Sequence, residues 1–303
     1  MHKVKNGYAK IKGMESPENS SSFARRMGWN RTSYVLMSGF ILLLGVIAYV
    51  WWPLVTEYLA TYNPAFPWWM QVDWLLLGIF AAMSLLLMAG ADVRLDLPIV
   101  VVGLVGGLVI EAWGTQTLLW TYYTNERPPL WIIPAWPIAS LAIDRLYRML
   151  AKRAEVIPQR WMDGLYWGIF GIFAVLMMVF IWPTRNLSLT WMAIGLCAFI
   201  ILTPVDRRVM LLQFVAGSAL GYFLEYWGTT RECWTYYTFQ TPPLFAVLAH
   251  GMAAVAFWRS VRALRFVLSP AWRRIQDRIW LRWSARRSLN TLQRASSRSS
   301  SRS

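Results

Sequence analysis

The sequence predicts an all-α polytopic membrane protein. Its about eight transmembrane helices are expected to form two tandem parallel four-helix repeats, with both termini cytoplasmic. Three observations predict this. The 303-residue chain is 57% apolar and only 15% charged, whereas about a quarter of a soluble domain is charged. Its apolar residues fall into eight stretches able to cross about 30 Å of hydrocarbon as helices, without the period-two alternation of a barrel. One unit also occurs twice: of the fourteen residues starting at Glu111 and at Glu225, nine are identical at a constant offset of 114.

Taken in order, residues 1–32 form a basic cytoplasmic segment with seven Lys and Arg against Glu15 and Glu18. Expected helices over 34–52, 72–91, 98–119 and 128–146 make repeat one, residues 33–150. Helices over 164–182, 187–204, 209–229 and 242–263 make repeat two, residues 151–265. The first apolar segment begins after residue 32 and is long enough to span, so it is expected to be a retained helix and not a cleaved leader. The repeat extends beyond its centre. Pro128, Pro129 and Leu130 match Pro242, Pro243 and Leu244; Asp92 and Arg94 match Asp206 and Arg208; Arg145 and Arg148 match Arg259 and Arg262. The duplicated Asp and Arg of the two tight turns read as structural, and Asp144 with Arg145 as an interfacial pair. An even number of helices per repeat makes the halves parallel, related by an axis along the membrane normal.

The Trp-Pro pairs at 52–53 and 182–183 stand at an offset of 130, so loop 53–71 carries about sixteen extra residues. Its Trp68 and Trp69 fit an aromatic belt better than a lid. Gly103, Gly106, Gly107, Gly217 and Gly221 allow close helix approach, which places the two motif helices centrally.

Basic residues orient the chain. The N-terminal segment and the loop holding Arg148, Lys152, Arg153 and Arg160 belong inside, while the outer connections carry only Arg127, Arg185 and Arg231. The bacterial cytoplasmic (inner) membrane is the expected location. The net charge of +15 is almost wholly terminal, with twelve Arg against Asp277 from Arg259 onward, so nucleic acid is not an expected partner. In the tail, residues 266–303, Trp272, Ile275, Ile279 and Trp283 recur at helical spacing among arginines. That suits a helix on anionic lipid headgroups, followed by a disordered Ser and Arg run. Cys197 inside a span and Cys233 in an outer loop are poorly placed to bridge, and no disulfide is expected.

Glu111 lies about thirteen residues into the third span, about 20 Å from its inner end at 1.5 Å per residue. Glu225 occupies the same place in the seventh. An ionisable group at such depth is a functional candidate; burial favours its neutral form, which can act as a general acid. Thr115 and Thr229 share the helix face of the acids at i+4. Trp113, Trp120, Tyr122 and Tyr123, with their copies Trp227, Trp234, Tyr236 and Tyr237, supply rings at that level. His250 replaces Trp136 of the first repeat at a similar depth, which permits a Glu225 to His250 proton relay. Glu111, Glu225 and His250 are therefore the candidate catalytic residues, and the threonines and rings the candidate substrate-binding ones. Acids among ring faces suit carbocation chemistry on an alkene. A membrane-dissolved isoprenoid is the natural substrate. Two His, two Cys and no clustered carboxylates give no metal or haem ligand set, and no cofactor is expected.

The order of an intramembrane Glu, a Gly, an aromatic-x-Tyr element and a Pro before the next helix resembles integral-membrane carotenoid hydratases of the bisanhydrobacterioruberin hydratase type. It is more loosely similar to membrane lycopene and terpene cyclases. The resemblance covers about 20 residues per repeat. It implies Glu111 or Glu225 as proton donor, with Gly114, Tyr122, Tyr123 and Pro129, or Gly228, Tyr236, Tyr237 and Pro243, shaping the pocket. The family pattern has further glycines where this chain has Leu118 and Leu119, or Glu232 and Cys233. Three readings stay open: a protonating hydratase, cyclase or isomerase of an isoprenoid lipid; a non-catalytic subunit or pigment-binding scaffold of a membrane complex; and a carrier of lipid-like cargo.

Overall fold

A computed structural model describes Ala24 and residues 27–202 and 206–267. Most of the basic N-terminal segment, and the amphipathic and Ser-rich tail beyond Val267, lie outside the described residues. Within them the chain is mostly helical. Its α-helices are α1 (Arg31–Val50), α2 (Trp52–Ala60), α3 (Trp74–Met88), α4 (Val93–Gln116), α5 (Ala135–Ala154), α6 (Gln159–Ile181), α7 (Ser188–Leu202), α8 (Arg207–Thr230) and α9 (Leu244–Val267). Strands β1 (Trp120–Tyr122) and β2 (Trp234–Tyr236) follow α4 and α8. Five helices, α1, α4, α6, α8 and α9, are long and apolar enough to cross a membrane. The 15-residue α3 and α7 are shorter apolar helices.

Helix starts follow side-chain chemistry. Asn30 and Ser33 form a capping box at α1, and Asp73 caps α3. The duplicated Asp92 and Asp206 are both N-caps, accepting from the main-chain N–H of Arg94 and of Val209. Each satisfies a donor that the first turn leaves unpaired. Arg208 binds the other end of the junction, donating to the carbonyls of Ala154 and Ile157.

Three expected spans shift; the one expected over 164–182 begins earlier, at Gln159. The helix expected over 128–146 begins at Ala135 and runs to Ala154. Pro128, Pro129 and Pro134 lack the N–H that a helix interior needs, and residues up to Pro134 form consecutive turns. The helix expected over 98–119 runs over Val93–Gln116 with Pro98 inside it, so Glu111 stands about eighteen residues from its start, not thirteen, and residues 120–122, just past the expected end, form a strand. The loop 53–71 becomes α2 and a 3₁₀ turn, Trp68–Met70, with no buried residue. It therefore covers no core.

Of the two motif helices, both expected to be central, only α8 is: 56% of its apolar stretch is buried against 22% of that of α4, which is exposed along Leu97, Val101, Leu104, Val105 and Leu108. A methyl at Gly103 would overlap the backbone of Pro137 on α5, and one at Gly217 would overlap Ala254 and the His250 carbonyl on α9. Each motif helix thus touches its following helix almost backbone to backbone. Phe40, Leu87, Leu141, Ala142, Ala216 and Leu220 join α1, α3, α5 and α8 in one apolar cluster.

A buried ion pair crosses this core. Asp96, 2% exposed, takes a 2.6 Å bond from Arg145, 3% exposed, whose other amino group reaches Asp144 at 2.8 Å. Sequence reading paired Arg145 only with its neighbour Asp144. Removing one partner of a buried pair leaves an uncompensated charge, at about 3–5 kcal/mol. Arg145→Leu is expected to lower the unfolding temperature of the detergent-solubilised protein accordingly, and Asp96→Leu added to it to restore much of the loss. A double variant no more stable than the single would place the cost in packing instead.

Candidate functional site

Near the end of α4 the Glu111 carboxyl is 3% exposed and accepts three hydrogen bonds. Trp120 Nε1 donates to Oε2 at 3.1 Å; Tyr122 Oη and Trp136 Nε1 donate to Oε1 at 2.8 and 3.1 Å. Glu225, also 3% exposed, repeats the arrangement on α8. Trp234 Nε1 donates to Oε2 at 3.0 Å, and Tyr236 Oη to Oε1 at 2.9 Å. The third position holds His250 Nε2, 2.9 Å from Oε1.

The chain reaches these positions through the same local path twice. After each motif helix the backbone turns through a left-handed residue, Leu118 with φ 60° and Glu232 with φ 55°. Leu119 N–H then returns to the Gly114 carbonyl and Cys233 N–H to that of Gly228. This sharp reversal folds the strand back beside its own helix, so alternate residues Trp120 and Tyr122 meet one carboxyl. β1 and β2 then pair antiparallel, Trp120 with Tyr236 and Tyr122 with Trp234. The register maps onto itself when the strands are exchanged. It also packs each tryptophan against the other strand's tyrosine, with ring centroids 5.9 Å apart in both cases. On the other side Trp136 and His250 stack at 5.7 Å and 18°.

The two carboxyls differ in what a proton on them can do. An indole N–H only donates, so each Glu111 oxygen is held by one group unable to accept, and Oε1 by Tyr122 as well. A proton placed there has Tyr122 alone as acceptor among its partners. Glu225 faces an imidazole, which can take or return a proton. The two carboxyls together take part in six side-chain hydrogen bonds.

 Five of the six bonds come from indole or phenol donors, and the sixth involves His250.

Of the sequence candidates, Glu111, Trp120 and Tyr122 meet at one centre, and Glu225, Trp234, Tyr236 and His250 at the other. The rest stand apart from the carboxyls. Thr115 and Thr229 donate to the main-chain carbonyls of Glu111 and Glu225. Trp113 packs edge-on against Trp120, and Trp227 donates to Asp73 at 2.9 Å. Tyr237 donates to the Phe180 carbonyl, and Tyr123 is 39% exposed. Trp136 was legible only as the residue that His250 replaces; its bond to Glu111 depends on how α5 returns along α4. Asp73, which also takes a bond from Arg231, had no sequence signal.

A cavity of about 360 Å³ lies between α5 and α9, and Trp136 and His250 line it. Among the described residues, no three of His, Cys, Asp and Glu group as metal ligands would. No protein-family model, curated protein or solved structure matches the chain.

Burial pushes the Cys233 thiol up to about 12. The thiolate is the reactive form, so in a Cys197→Ser background iodoacetamide at pH 8 is expected to leave Cys233 unmodified until the protein is unfolded in SDS. A methyl at Gly114 would overlap the Trp120 ring, and one at Gly228 the Trp234 ring. Gly114→Ala and Gly228→Ala are each expected to cost about 1–3 kcal/mol from overpacking, read as a lowered unfolding temperature with altered tryptophan fluorescence.

Proposed function

We propose that the chain is a membrane enzyme acting on an isoprenoid-type lipid by protonating an alkene, as hydratase, cyclase or isomerase. The Glu225–His250 pair is its proton-transferring group. The observation that carries this reading is the 2.9 Å contact between a buried carboxyl and an imidazole that lines a cavity. The proton moves from Glu225 to His250, and from His250 to an alkene carbon, leaving a carbocation. Water then adds and returns a proton to the pair, or the cation loses a different proton after isomerisation or ring closure. In each case the protein ends in its starting state. Trp136, stacked on His250, and Phe257, 6.0 Å from Trp136, present ring faces to the cation. Such contacts are worth about 2 kcal/mol when desolvated.

Glu111 takes a positioning role in this reading. Its indole and phenol donors hold β1 and Trp136 in place, and Trp136 in turn supports the His250 ring. The chain is read as eight spans in two parallel four-helix repeats, N-in and C-in, in a bacterial inner membrane, with the site on the axis between the halves. The resemblance to carotenoid hydratases gains support from the two turns. Leu118 and Glu232 fall in the stretch where the family pattern carries extra glycines, and both adopt the left-handed conformation that glycine favours.

Lipid extracts from cells with and without the protein test the reading by mass spectrometry. A polyisoprenoid is expected to gain or lose one water, or to isomerise, only when the protein is present. Glu225→Gln and His250→Gln are expected to reduce that conversion by about 10²–10⁴-fold, the range for a lost general acid. Glu111→Gln is expected to lower the unfolding temperature more than the turnover. An unchanged lipid profile would reject the enzyme and leave a scaffold or a carrier.

A further inference from the structure

The cavity between α5 and α9 has a direction. On α5 its lining runs from Trp136 to Arg148, and on α9 from His250 to Arg265. At 1.5 Å per residue these are about 18 and 22 Å. A volume of about 360 Å³ spread along that length makes a slot, not a chamber. Its middle is walled mostly by Ile143, Ala254 and Val261, with Ser140, Tyr147 and Gln213 adding polar groups. One end holds Trp136 and His250; Phe257, between Ala254 and Val261 on α9, stands 6.0 Å from the Trp136 ring. The other holds Arg148, Arg262 and Arg265, with Asp144 as the acid among the lining residues.

The arginines of that end are arranged by the protein. Arg148 is bonded to Asp144 at 2.8 Å, Arg265 donates to the Leu95 carbonyl at 2.6 Å, and Arg262 lies over the Trp258 ring at 5.7 Å. Asp144 is also shared with Arg145, which in turn neutralises Asp96. Three arginines against one aspartate leave this end with a formal excess of positive charge. A cationic end and a long, narrow, largely apolar interior complement an amphiphile with an anionic head and a single chain.

We propose that the slot binds such a single-chain lipid, head on Arg262 and Arg265 and tail directed towards His250. The chemical consequence rests on the Glu225–His250 reading: the double bond that reacts is the one about 20 Å from the head. The slot then selects its substrate by length. A chain too short leaves His250 without an alkene, and a two-chain phospholipid is too wide.

Binding to the purified full chain in zwitterionic nanodiscs tests this, using geranylgeranyl phosphate, geranylgeraniol, palmitate, dioleoyl phosphatidate and inorganic phosphate as probes. Geranylgeranyl phosphate is expected to bind at least tenfold more tightly than the alcohol. Arg262→Gln with Arg265→Gln is expected to remove that difference while the alcohol's affinity stays within about twofold. Ala253→Phe, which fills the slot, is expected to block both. Palmitate binding as well as the prenyl phosphate would support recognition of any anionic single chain; weaker palmitate binding would support a phosphate head. Equal binding of alcohol and phosphate, equal binding of dioleoyl phosphatidate, competition by inorganic phosphate alone, or indifference to Ala253→Phe would overturn the proposal. Binding without conversion of any bound lipid would reject the enzyme and keep the slot. Undiminished conversion of an uncharged polyene by the Arg262→Gln, Arg265→Gln variant would do the reverse.

Discussion

A carboxyl cannot be left bare in a low-dielectric interior, and the fold around α4 and α8 is arranged to satisfy two of them. Each glutamate gathers a tryptophan and a tyrosine from the strand that follows its helix and one group from the next helix. The three elements of each unit are thereby tied to one residue. Strand pairing and the Trp136–His250 stack then join the two units. Loss of one carboxyl would release a helix end, a strand and a helix start together.

Small residues make this closeness feasible. Gly114 and Gly228 leave room for the indole rings, and Gly103 and Gly217 let the motif helices touch the helices that follow them. With the centre so tightly packed, the empty space of the α5–α9 seam is notable for where it remains. It begins at the stacked Trp136 and His250 and ends among arginines.

Duplication sets a symmetric frame, and single replacements give it direction. Where repeat one has an indole that can only donate, repeat two has an imidazole that can also accept. The two centres therefore share a geometry but not a capacity for proton transfer. Asp96 and Arg145 make a second asymmetry: the position matching Asp96 at the repeat offset is Met210, so the buried pair belongs to the first half alone.

Composition and apolar run length determined the helical, membrane-crossing character, because hydrocarbon accepts only internally hydrogen-bonded backbone. The repeat offset picked out both glutamates and the His250-for-Trp136 replacement, since identity at constant spacing is a property of the chain. Asp92 and Asp206 were legible as duplicated turn residues, and their capping role follows from local chemistry. The start of α5 was not, because apolar residues 128–134 read as span while three prolines prevented a helix. Tertiary structure alone decided that Trp120 and Tyr122 bond Glu111 while Trp113, Thr115 and Tyr123 do not. That choice depends on a left-handed turn at Leu118 and on strand pairing between segments 114 residues apart. It also decided that Arg145 reaches Asp96 and that a slot lies between α5 and α9, because both arise from side chains distant in sequence and brought together by helix packing.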